Sequence, residues 1–238
     1  MDEEKEPTMS GDVPIVRPSL TTPRSAAVAG IVFSLLLSLA LVMIRLAVPG
    51  EPGQDGGWLA DPSKRATVGI ANNLVPFAGI AFLWFIGVIR DRIGQHEDRF
   101  FATVMLGSGL LFVAMLFVSG ALAGGLRLEA SALGGAAGGS DTWRIQARIT
   151  ALLLNVYAMR MAAVFMISVA TISLRTQVIP RWLAFSGYAS AVVLLVSIGI
   201  SPWVQLLFPI WILLLSVHIL RRSWTPSRPS QTSGRPDR

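Results

Sequence analysis

Arg160 stands near the middle of ALLLNVYAMRMAAVFMISVA, residues Ala151–Ala170, a stretch that is otherwise soluble in lipid. A guanidinium is a permanent cation with a planar fork of donors, suited to holding a carboxylate or a phosphate. Placing one at the centre of a bilayer costs about 2.5–3.5 kcal/mol on insertion scales. On a uniform helix stepping about 100° per residue, Gln146 falls about 40° from Arg160, Thr150 about 80°, Tyr157 about 60°, Thr171 about 20° and Arg175 about 60°. Ser168 joins this arc, as do the apolar Leu153 and Val164, whereas Arg148, Asn155 and Ser173 lie on the far side. Such a face is expected against protein or water rather than lipid. No Asp or Glu lies inside any apolar span to neutralise the charge. Three readings stay open: a structural arginine satisfied by carbonyls and hydroxyls, a site for an anion or lipid headgroup, and an ion pair with an acid on another subunit. A loop carboxylate dipping inward, Glu129 or Asp141, is a further source of a partner.

A second polar group is Asn72-Asn73, followed by Pro76. The proline removes a backbone donor and invites a kink, and the amides can hydrogen-bond across helices. Helix-to-helix glue and substrate contact are both consistent with that pattern. Other chemistries lack their residues. There is no HExxH and no P-loop, and cysteine is absent. His96 and His218 sit in separate segments, so no metal site and no cofactor is expected. A proton-coupled carrier usually keeps a carboxylate or histidine at membrane depth. No Ser/His/Asp constellation has a buried histidine to work with. Enzymatic activity is therefore not expected.

The elements that position these residues follow from the distribution of charge. Of 238 residues 53% are hydrophobic and 14% charged, against about 25% charged in soluble domains. The charges gather in the ends and in short breaks between six apolar spans: 26–48, 66–89, 100–122, 149–174, 182–200 and 203–220. A helix needs about 20 apolar residues to cross the hydrocarbon. The first four spans are ample. The last two are shorter and are separated by Ser201-Pro202, which predicts a tight hairpin; a re-entrant fifth segment is the alternative. The net charge of +6 belongs to arginines flanking the spans, so topology rather than nucleic-acid binding accounts for it.

Lys and Arg near the ends of spans set orientation. One side carries Arg17, Arg24, Arg90, Arg92, Arg99, Arg175, Arg181, Arg221, Arg222 and Arg228. The other carries Lys64, Arg65, Arg127, Arg144 and Arg148, with Arg45 near the end of the first span. Six crossings then put both termini in the cytoplasm and the loops 49–65 and 123–148 outside. Residues 1–24 and 223–238 are polar and rich in Pro, Ser and Thr, so disordered tails are expected around a transmembrane domain at 25–222. GGAAGGS at Gly134–Ser140 is expected as a flexible insert, and the first span is too long and too far from the start to be a cleaved signal. Small residues recur every four positions at Ala26, Gly30, Ser34 and Ser38, and again at Ser186/Ser190 and Gly187/Ala191. Such ridges let helices approach closely, within the bundle or across an oligomer face.

The stretch NLVPFAGIAFLWFIGVIRDRIGQHEDRFF, Asn73–Phe101, resembles segments of uncharacterised multi-pass membrane proteins of high-GC bacteria. It covers the second span, the loop after it and the start of the third. The resemblance implies membrane class and assigns no residue a role. The expected fold is an all-α, six-helix integral bundle of the cytoplasmic membrane. The expected role is a non-enzymatic accessory or scaffold subunit, with another membrane subunit or an anionic lipid as partner and no nucleic acid. The alternative is a small permease or a lipid- or anion-binding protein using Arg160, Tyr157, Thr150, Thr171, Asn72 and Asn73.

Overall fold

Proline at the first helical position costs no hydrogen bond, and two helices begin that way. Helix α1 runs Pro23–Ala47 and α2 runs Pro62–Ile93. Asp61 caps α2: its Oδ1 accepts the Ser63 backbone N–H and the Ser63 hydroxyl, each at 2.8 Å. Those two bonds, the hydroxyl one foremost, hold the exposed Asp61 carboxyl below the usual carboxylate range. Helix α3 is Arg99–Ala132 and α4 is Asp141–Leu152. A π-helical segment, Leu153–Ala158, joins α4 without a break to α5, Met159–Thr176. Helix α6 is Arg181–Val196. A 3₁₀ turn at Pro202–Leu206 leads into α7, Leu207–Ser223. The computed structural model describes residues 23–48, 58, 61–93, 99–132, 141–177, 179–196 and 201–223. The two expected tails, but for the helical residues where they join α1 and α7, and the Gly134–Ser140 insert lie outside that set.

The described residues are helical with no strand among them. Five helices are long and apolar enough to cross a membrane, within Ser25–Ala47, Pro62–Arg90, Phe100–Ser131, Asp141–Thr176 and Trp203–Arg222. Helix α6, at 16 residues, is about 24 Å long at 1.5 Å per residue, short of the roughly 30 Å of hydrocarbon.

Several helices overrun the apolar spans. Helix α3 continues ten residues past Leu122, and the rod containing α4 and α5 starts eight residues before Ile149. Hydropathy marks where apolar side chains stop, not where the backbone stops pairing. ALAGGLRLEASA is rich in the helix formers Ala and Leu, and α3 runs through it. The expected loop at 123–148 is therefore mostly helix. Beyond the main core these extensions pack on one another: Leu126 and Ala130 of α3 and Trp143 and Ala147 of α4 form a second small core, with Trp58 against it.

The helices close into a ring. Helix α1 packs on α2 and α7, α2 on α3, α3 on α5, α5 on α6, and α6 on α7. The centre is filled by six phenylalanines from five helices: Phe33, Phe82, Phe85, Phe112, Phe165 and Phe208, all fully buried. Phe82 touches the other five rings, at centroid distances of 4.5 to 6.0 Å and mostly edge to face, the arrangement that ring quadrupoles favour. The small-residue ridges are consumed within this packing. A Cβ at Gly30 would lie 2.0 Å from Ser216 Oγ and 2.8 Å from the Phe85 ring, so α1 meets α7 and α2 at contact that only glycine allows. Gly187 meets the Trp211 ring of α7, whose Nε1 donates to the Leu183 carbonyl at 3.1 Å. The outward side is apolar instead: Leu35 and Leu39 on α1, Phe77 and Trp84 on α2, and Phe185 and Val196 on α6 are exposed.

Candidate functional site

The rod formed by α4, the π segment and α5 carries most of the candidate residues. The buried side chains of α5 are Met159, Ala162, Ala163, Phe165, Met166, Ser168, Val169, Ala170, Ile172 and Ser173. Measured from Arg160, they occupy an arc from about 80° to about 300°. Arg160 sits opposite the middle of that arc, with Val164, Ile167, Thr171 and Leu174 beside it, none fully buried. It therefore points away from the phenylalanine core, between the flanking helices α3 and α6. No hydrogen bond or ion pair reaches Arg160 among the described residues.

The two loop acids do not come near it. Asp141 is 92% exposed and pairs with Arg144 at 3.6 Å; it starts the same rod, nineteen residues and so about 28 Å before Arg160. Glu129 is exposed near the end of α3 that packs on α4.

The uniform wheel does not hold along the whole rod. A π turn takes up one residue more than an α turn, so the half before it rotates by about one residue's angle, roughly 100°, relative to the half after it. That rotation carries Gln146 and Thr150 away from Arg160 and onto α3. There Gln146 Nε2 donates to the Leu122 carbonyl at 3.3 Å, and the Ser119 hydroxyl donates to the Thr150 carbonyl at 3.1 Å. The Thr150 hydroxyl returns to the Gln146 carbonyl at 2.8 Å. The same rotation exposes Ile145 and Leu152, which a uniform helix would have placed at the edge of the buried arc.

Tyr157, within the π segment, is 54% exposed on the outer surface. Thr171 is tied to α6: its hydroxyl and that of Tyr188 are 2.6 Å apart, and it also donates to the Ile167 carbonyl. Arg175 stacks over the Phe101 ring of α3 at 4.8 Å. Asn72 and Asn73 belong elsewhere. The Asn72 amide lies against Gly120 and Gly124 of α3, where added Cβ atoms would meet it at 3.5 and 3.3 Å. Asn73 is exposed, and Pro76 remains inside α2. The six residues thus divide among three places: an outward face with Arg160 and Tyr157, helix-to-helix contacts at Thr150, Thr171 and Asn72, and an exposed Asn73.

A polar pair absent from the sequence-based candidates is more deeply set. Gln205, only 6% exposed in the 3₁₀ turn, donates through Nε2 to Asn155 Oδ1 in the π segment, and Gln205 Oε1 is buried without a partner among the described residues. A uniform wheel sets Asn155 apart from the other polar residues, yet the π segment is where it joins the turn before α7. The available signal was a lone amide in each of two apolar spans. Asn155→Ala leaves the Nε2 of the buried Gln205 amide unsatisfied as well as its Oε1 and is expected to lower stability by about 1–3 kcal/mol. Thermal melting in mild detergent measures this, and the double change Asn155→Leu with Gln205→Leu, which removes both partners, is expected to recover most of the loss.

The chain matches no protein-family model, no curated protein and no solved structure.

Proposed function

We propose that this protein is a multi-pass subunit of a membrane complex, with six crossings and both termini in the cytoplasm, and that it docks a partner's membrane helix on the face around Arg160. The observation that carries this reading is the outward arginine: midway along an apolar rod, opposite the core, with no partner in its own chain among the described residues. Left facing lipid it costs a few kcal/mol. A carboxylate on a neighbouring helix at the same depth removes that cost and adds a forked, charge-assisted pair. Lipid phosphates do not answer the same need, because headgroups lie about 15 Å from the bilayer centre.

The six-ring core favours docking over passage. Those rings occupy the axis along which a solute would move, and they pack edge to face with full burial. The test is photo-crosslinking in native membranes from a probe at Val164, one turn from Arg160. The expected product joins this chain to a membrane segment containing Asp or Glu; crosslinks to lipid alone would overturn the reading. The topology has its own check. Reporters fused after Leu122 and after Arg222 are expected to read outside and inside respectively.

A further inference from the structure

The ends of α5, α6 and α7 enclose a cavity of about 240 Å³ that the Arg160 face does not use. Its polar lining is Gln177, Arg181, His218 and Arg222, and Leu174, Ile179 and Pro180 complete the wall. Among the described residues no carboxylate lines it. His218 and Arg222 are four residues apart on α7 and so share a face. His218 Nε2 is buried and has no hydrogen-bond partner among the described residues. Gln177 ends α5 in the left-handed conformation, at φ 52°, and turns the chain sharply into Pro180. Arg181 opens α6, where the amides of Leu183 and Ala184 fold back on the Pro180 carbonyl. The first amides of that helix add partial positive charge to the guanidinium beside them.

We infer that this cavity is a binding site for a phosphate group, presented by an anionic lipid headgroup or by a free phosphate. Two guanidiniums, an imidazole nitrogen in want of a partner and the start of α6 converge on one small space. Arginine forks match phosphate oxygens, and basic pockets between membrane helices at the cytoplasmic side bind such headgroups. The volume is below the roughly 300–1,000 Å³ of pockets for drug-sized ligands and suits a headgroup fragment. The apolar spans that contribute to it end at Thr176 and Arg222, so the cavity opens at the level where a bilayer's phosphates lie. This inference rests on membrane embedding, and not on the docking of a partner at Arg160.

The test is thermal melting of the purified full chain in neutral detergent with one of three additions: short-chain phosphatidylglycerol, short-chain phosphatidylcholine, or inorganic phosphate. Phosphatidylglycerol is expected to raise Tm by roughly 5 °C near saturation, and phosphatidylcholine by less than half of that. Arg181→Gln is expected to weaken the response at least tenfold in ligand concentration, and Arg181→Gln with Arg222→Gln to abolish it. Because Arg181 is exposed, the single variant should fold even if the double one does not. A response to lipid alone identifies a headgroup site, and an equal response to inorganic phosphate identifies a free-anion site. No response to either, or a full response in Arg181→Gln, overturns the inference. Arg160→Leu should keep the whole response, so loss of a partner at that face and loss of this site are read separately.

Discussion

Arg160→Leu is expected to separate assembly from stability. The guanidinium has no acceptor within the described chain and points away from the core, so its removal strands nothing and relieves the insertion cost of a charge at mid-depth. Melting temperature in detergent should stay level or rise slightly. The partner should be lost, because truncating one member of a desolvated charge pair costs about 2–5 kcal/mol, roughly thirty-fold to several thousand-fold in affinity. Arg160→Lys should rescue poorly, since an ammonium cannot reproduce the fork. Tyr157→Leu should show a weaker loss, being exposed about one turn away. Melting and co-purification of the crosslinked partner must be measured on the same samples. A destabilised Arg160→Leu that still holds its partner would instead assign the arginine a structural role inside its own chain.

Phe82→Ala is expected to be the most damaging single truncation in the bundle. Phe82 alone contacts all five other core rings. Surrounded by lipid, the unfolded reference already keeps a phenylalanine in apolar surroundings, so the transfer part of the usual loss shrinks. The cavity part remains: an unrelaxed void of roughly 100 Å³ costs about 2.4 kcal/mol at about 24 cal/mol per Å³. The rings come from five helices that cannot all collapse inward together, which keeps the void open. Phe82→Leu should cost less than half as much. Reversible unfolding in mixed micelles gives the comparison, and an Ala variant within 0.5 kcal/mol of the native chain, about a fifth of the cavity cost, would show that the ring cluster does not hold the bundle.

The positions of the helices were readable because apolar runs and their arginine punctuation are properties of composition. The first span was expected at 26–48 and the helix is Pro23–Ala47; the sixth was expected at 203–220 and the helical segment is Pro202–Ser223. What hydropathy does not encode is backbone pairing beyond the apolar run, hence the unforeseen length of α3 and α4. The small-residue ridge of α1 was legible as a close contact, but whether it faced inward depended on Ser216 and Phe85, distant in sequence.

The candidate site was legible as an isolated charge and no further. Arg160 declares itself by chemistry alone. Its company does not, because the face shared by Gln146, Thr150 and Arg160 exists only if every residue turns by the same angle. Asn155 and Gln205 are fifty residues apart, and each alone reads as one polar residue in an apolar run.

The wide turn at Leu153–Ala158 also bears on how this chain tolerates insertion and deletion. Each half of the rod has its own seat: Trp143 and Ala147 in the small core beside α3, Phe165 and Met166 in the main one. Removing any one residue between 153 and 158 would leave a helix of nearly unchanged length and good local geometry. Because the wide turn already takes up one residue's worth of rotation, the shortened segment relaxes to a plain α-helix and the two halves keep their relative orientation, with Trp143 and Phe165 both in their seats. The rod thus carries its one spare residue at Leu153–Ala158, so a one-residue deletion there that spares Asn155 should be tolerated far better than a one-residue insertion, which would swing one half by roughly 100° against the other.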